Sequence, residues 1–83
     1  MKKKIVIFTS KNCAPCHALT NALKKESIPF EEVDVNKKEN KEEVIKCNVR
    51  ATPTIVEKNS KGDIINSIPY FMPINKLKAT LGL

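Results

Sequence analysis

Glycine is scarce in this chain. Only Gly62 and Gly82 occur among 83 residues, which excludes a glycine-rich loop that cradles phosphate. Aromatic side chains are also few, four residues with no tryptophan, too few for a surface that stacks nucleobases. Arginine occurs once against fourteen lysines, and the cations are spread along the chain rather than gathered. The net charge of +6 therefore reads as a solvated lysine surface, suited to steering an acidic protein partner, and not as a nucleic-acid footprint. No run approaches the roughly 20 apolar residues of a membrane span. After Lys2–Lys4 only four apolar residues precede Thr9, too short a stretch for an export signal. No repeat, low-complexity stretch or linker divides the chain. The expectation is one cytoplasmic, monomeric domain spanning 1–83, with neither nucleic acid nor membrane as partner.

What the chain does have is Cys13-Ala14-Pro15-Cys16, set between two patterned segments. Ile5-Val6-Ile7-Phe8 before it reads as a buried strand, and Ala18, Leu19, Ala22 and Leu23 after it recur at helical spacing. A Cys-x-x-Cys at a strand-to-helix junction is a redox motif. The first thiol lies at the helix start, where unpaired N–H groups and the helix dipole favour a thiolate. Cys13 is thus the expected nucleophile and Lys11, close by, a modulating cation. Cys16, one turn deeper, is the expected resolving thiol. Pro15 stiffens the turn and removes one N–H. In a reducing compartment such a pair is catalytic or metal-binding rather than structural.

Other readings of these residues compete. Cys13 to His17 also spells the c-type haem attachment motif, but the apolar strand upstream argues against it. His17 is then an exposed or half-packed helix residue beside the pair, able to modulate the thiols. Cys13, Cys16, His17 and Cys47 contain the donors of a zinc site, and a cluster or zinc bridging two subunits through Cys13 is a further variant. Cys47 lies near Val44 and Val49, where a lone cysteine usually acts as a small buried hydrophobe. A metal or iron–sulfur binding module is accordingly the alternative from another class, while the dithiol reading needs no cofactor and no metal.

The elements follow in the order βαβαββα. A strand is expected over 3–9 and a helix over 13–26, with Pro15 in its first turn, where a missing N–H does no harm. Ser27-Ile28-Pro29 ends that helix. Residues 30–35 form the next strand, with Val33 and Val35 on one face, and Asn36 is placed to cap a helix over 38–47 that points Val44 and Ile45 inward. Residues 54–57 and 63–68 make an antiparallel pair around the turn formers Lys58 to Gly62. Pro73 opens a last helix with Ile74, Leu77 and Leu81 on one face. Pro53, in Ala51-Thr52-Pro53-Thr54, cannot donate within a sheet and belongs at a strand start or edge.

Phe8-Thr9-Ser10-Lys11-Asn12-Cys13-Ala14-Pro15-Cys16-His17-Ala18 resembles the active-site segment of glutaredoxin-like redoxins of the NrdH type, which serve ribonucleotide reductase. Those proteins carry Cys-x-x-Cys-His at the same junction. Ala51-Thr52-Pro53-Thr54-Ile55 is similar to their proline turn, and Tyr70-Phe71-Met72-Pro73 to the Gly-Phe-x-Pro segment that opens their last helix. The resemblance covers nearly the whole chain. It implies an α/β, thioredoxin-like fold of glutaredoxin size, with a mixed four-stranded sheet and helices on both faces. It implies a cis Pro53 facing the cysteine pair, and substrate binding by Thr52 and Pro53 together with Ala14 and Pro15. The implied activity is thiol–disulfide oxidoreduction by an electron carrier that takes electrons from a flavoprotein reductase such as thioredoxin reductase. Its clients would be disulfide-containing proteins, ribonucleotide reductase among them. Two departures matter. Tyr70 replaces the family's glycine, and Ile68-Pro69-Tyr70 stands where glutaredoxins keep a Gly-Gly pair beside glutathione, so a glutathione-dependent glutaredoxin is the weaker alternative. Thioredoxin itself fits less well, since no tryptophan precedes Cys13 and Ile7 stands where thioredoxins keep a buried aspartate. Phe71 is expected to pack under the last helix.

Overall fold

The computed structural model describes residues 4–83. The expected strand start at residue 3 and the cations Lys2 and Lys3 lie outside the described residues. The elements run β1 (Lys4–Thr9), α1 (Ala14–Lys25), β2 (Glu31–Asp34), a 3-10 turn (Lys38–Asn40), α2 (Lys41–Lys46), β3 (Thr54–Lys58), β4 (Ile64–Ile68) and α3 (Ile74–Leu81). The sheet order is β2-β1-β3-β4, parallel between β1 and β2 and antiparallel elsewhere. This is the expected mixed four-stranded sheet.

β1 is central because its apolar run serves both faces. Ile5 and Ile7 join Leu19, Leu23, Ile55, Leu77 and Leu81 in the cluster under α1 and α3. Val6 and Phe8 point the other way and join Val33, Val56 and Cys47 on the α2 face. Alternation along a strand thus divides one hydrophobic run between two cores. Glu57 on β3 is buried on the α1/α3 face, where its Oε1 accepts a hydrogen bond from Asn66 Nδ2 at 2.6 Å. On the other face Lys58 Nζ reaches Glu43 of α2 at 2.6 Å. Among the described residues no helix is long and apolar enough to cross a membrane.

All three helices end on a residue in the left-handed region: Ser27 (φ 56°), Asn48 (φ 54°) and Gly82 (φ 69°). After α1, Ser27 N–H bonds to the Lys24 carbonyl and Ile28 N–H to that of Leu23; after α2, Asn48 bonds to Ile45 and Val49 to Val44. This paired pattern is the Schellman motif, which brings the residue after the cap back onto the last turn. Leu23 and Ile28 accordingly pack in one cluster and Val44 and Val49 in the other.

The motif also corrects the expected second helix. That helix breaks into a 3-10 turn and a six-residue α2, with Lys37 and Asn40 at their N-caps, so Asn36 caps neither and its N–H bonds to Asp34 Oδ1 instead. Val44 is half-buried, but Ile45 is 67% exposed and does not face the sheet. Neighbouring helical positions are about 100° apart, so Val44 and Ile45 cannot both point inward on so short a helix. Cys47, just past its end, is the residue that fills the core.

Candidate active site

The loop after β1 delivers Cys13 to the head of α1 as the N-cap residue, in extended backbone (φ −103°, ψ 100°). Cys13 and Cys16 form a disulfide with their Cα atoms 5.2 Å apart. Cys13 is 8% exposed and Cys16 fully buried, so of the two only Cys13 keeps any exposure. Cys13 Sγ accepts the Cys16 N–H at 3.2 Å, and the Cys13 carbonyl accepts that of His17 at 3.3 Å. The first-turn donors therefore converge on Cys13, and Pro15 adds none there. No acidic residue lies in that first turn to oppose a negative sulfur.

Around this centre the Thr52–Pro53 peptide bond is cis, Pro53 is buried, and Thr54 Oγ1 donates to the Ala51 carbonyl at 2.6 Å. Ser10 connects that turn to the cysteines. Its carbonyl accepts the Cys13 N–H at 3.3 Å, and its hydroxyl lies 3.1 Å from that of Thr52. Lys11 and His17 are both exposed beside the pair, with His17 Nε2 3.4 Å from the Lys11 carbonyl.

Ala14, Pro15 and Ala18 line a shallow apolar groove of about 390 Å3 together with Phe71. Phe71 does not pack under α3: it is 42% exposed, and Met72 takes the buried place. Cys47 lies on the opposite face of the sheet from α1, so the structure does not bring it to Cys13, Cys16 and His17. Its thiol is pushed up by burial first and by the Glu43 carboxylate second, which favours its protonated form. Among the described residues no group of three or more His, Cys, Asp or Glu side chains is placed to hold a metal ion. Ser10 and Arg50 were not singled out from the sequence. Ser10 and Thr52 are 42 residues apart, and only the fold joins them.

The glutaredoxin family profile matches residues 5–60, which include both cysteines and the Thr52–Pro53 turn. The chain belongs to the glutaredoxin family. Within that setting, the N-acetyl-S-hydroxy-L-cysteine reductase of Bacillus subtilis (strain 168) is 32% identical over 53 residues. That match covers 61% of this chain and 57% of the reductase, a little over half its length. A thioredoxin-fold protein from Helicobacter pylori superposes with a TM-score of 0.82 at 22% identity, covering 96% of this glutaredoxin-family chain and 66% of that one. Reduced Schistosoma mansoni thioredoxin superposes at 0.80 with 27% identity, covering 98% and 77%. The fold is thioredoxin-like, and the chain is a glutaredoxin-like redox protein with a vicinal cysteine pair at disulfide distance.

Proposed function

We propose that this redoxin reduces protein disulfides as an electron carrier of the NrdH type, working in the cytoplasm and recharged by a flavoprotein reductase such as thioredoxin reductase. The observation that carries the reading is the asymmetry of the pair. Cys13 keeps a small exposure, 8%, with the Cys16 N–H on its sulfur, and Cys16 is fully buried behind it. In the reduced protein that N–H becomes a charge-assisted bond to a thiolate. The Cys13 thiolate attacks one sulfur of a client disulfide, forming a mixed disulfide and releasing the client's other sulfur as a thiolate. The Cys16 thiol, deprotonated as it reacts, then attacks Cys13 Sγ, expels the second client thiolate and closes the Cys13–Cys16 bond. Two electrons pass to the client, and the reductase returns two to the pair.

Thr52 and Pro53 dock an extended client segment next to Cys13, with Ala14 and Pro15 against its side chains, and Lys11 and His17 tune the thiols. Ribonucleotide reductase is the client suggested by the resemblance. A second reading is supported by the Bacillus subtilis relative, whose name places an S-hydroxy cysteine derivative as substrate. There the Cys13 thiolate attacks the oxidised sulfur and expels hydroxide, and Cys16 resolves as before.

The test is turnover of a protein disulfide with NADPH, fed in one arm by thioredoxin reductase and in the other by glutathione with glutathione reductase. Turnover confined to the first arm is expected, abolished in Cys13→Ser and arrested as a mixed disulfide in Cys16→Ser. Undiminished activity of Cys13→Ser would overturn the mechanism. Turnover confined to the second arm would make the chain a glutathione-dependent glutaredoxin without the Gly-Gly pair.

A further inference from the structure

Two shallow grooves that share Arg50 and Ala51 form a channel along the α2 face of the sheet, beginning at Ser10, whose carbonyl accepts the Cys13 N–H. Its near stretch, about 390 Å3, has half-buried Val35, Val44 and Val49 as its apolar lining and Ser10, Thr52 and Arg50 as its polar one. Its far stretch, about 540 Å3, runs past the C-terminal end of α2 to the edge strand β4, between Lys46 and Arg50 on one side and Ile64 and Ser67 on the other. The two stretches meet at Arg50 and Ala51, which line both.

The charge in this channel has one sign. No carboxylate lines either stretch. Lys46 and Arg50 are exposed, and neither closes an ion pair among the described residues. The α2 carboxylate of Glu43 is engaged by Lys58 instead. Ile64, 42% exposed on a strand with an open edge, gives the far stretch an apolar wall. An extended polypeptide suits both features: it can lie along a sheet edge and present alternate side chains to pockets.

We infer that this channel reads the client, by binding an acidic stretch that flanks the disulfide Cys13 attacks. The inference rests on the proposed role of Cys13 and names the client class for it. A segment docked at Thr52 places an apolar side chain over the valines and an acidic one between Arg50 and Lys46. Cations at such a rim raise the rate of productive encounter with an acidic partner, and salt weakens the effect.

The test uses the pre-reduced full chain in single turnover, so no reductase is involved. Its substrates are two peptide disulfides that differ only in having a pair of aspartates or a pair of serines a few residues from the cystine. At low salt the aspartate peptide should react about tenfold faster, and the ratio should shrink on adding 0.5 M salt, where the Debye length is about 4 Å. In the double variant Arg50→Gln/Lys46→Gln the ratio should fall close to one. Equal rates in the parent chain, or an unchanged ratio in the double variant, would overturn the inference. So would an equal fall in Lys24→Gln/Lys25→Gln, at the far end of α1, since overall charge would then be the cause. Cys13→Ser run alongside separates the two readings. If it reacts as fast as the parent, the thiol assignment fails; if the reaction needs Cys13 but ignores peptide charge, the channel alone fails.

Discussion

On the face covered by α1 and α3, nine buried residues of the described chain form one apolar cluster, whereas five do so under α2. The helices differ in the same sense. α1 buries Cys16, Leu19, Thr20 and Leu23 over twelve residues, while α2 has no fully buried residue in its six. α2 is held by the half-buried Val44 and by the Glu43–Lys58 ion pair, with Cys47 and Val49 following it into the core. The redox pair thus stands on the well-packed face, and the proposed client channel borders the thin one. Local opening is easiest where few apolar contacts must be broken, so a site that holds two sulfurs in fixed geometry and a groove proposed to take in a client segment belong on different faces.

Two substitutions break this comparison most directly. Leu77→Ala on the α1/α3 face should cost about 2–5 kcal/mol in urea unfolding, a large part of the stability of so small a domain. Val44→Ala, by contrast, should cost about 1 kcal/mol, and amides of α2 should exchange faster than those of α1 in both parent and variant. Equal losses at the two positions would remove the distinction.

The ion pair sharpens it. Lys58 donates to Glu43 and holds that carboxyl below its ordinary value, while Glu43 raises the Lys58 ammonium above its own. A lowered carboxylate stabilises the fold fully above the ordinary value near 4.5 and loses that contribution as pH falls through the folded value. A raised ammonium stabilises it fully below the ordinary value near 10.5 and loses that contribution as pH rises through the folded value. Glu43→Gln should therefore lower the thermal midpoint at pH 7 by an amount worth about 1 kcal/mol or less, and the difference from the parent should vanish in acid. A difference that persists in acid once the carboxyl is protonated would mean that the carboxylate charge is not what anchors α2. The smallest effect is expected for Ile45→Ser, within about 0.5 kcal/mol of the parent, because that side chain faces solvent.

The well-packed face was also the more legible one. The β-branched run at Ile5 to Phe8, the helical recurrence of Leu19 and Leu23 and the turn formers around Gly62 each signalled one element, and the elements form where expected. The thin face was harder because a six-residue helix carries too little periodicity to choose between Val44 and Ile45; the cap at Asn48 makes the choice. The pairing of Phe71 with Met72 raised the same difficulty at the entry to α3. Both are large and apolar, and only the packed structure shows that Met72 goes in and Phe71 stays out. In the site, the cysteines and the proline turn carried their own chemical signals. The Ser10–Thr52 contact carried none, because no local pattern joins residues on separate loops.

The left-handed helix ends have an evolutionary side. Ser27 and Asn48 hold a backbone region that glycine occupies without steric cost, and only the end of α3 uses glycine. Serine tolerates that region less well than asparagine does, so α1 keeps an unrelieved strain of about 1 kcal/mol at an exposed position far from the cysteines. Natural chains are seldom at their stability optimum, and such positions are where a lineage can recover what it loses elsewhere. A single change at Ser27 could offset a destabilising substitution in the proposed client channel. The scarcity of glycine thus leaves this fold room to absorb change in the proposed channel.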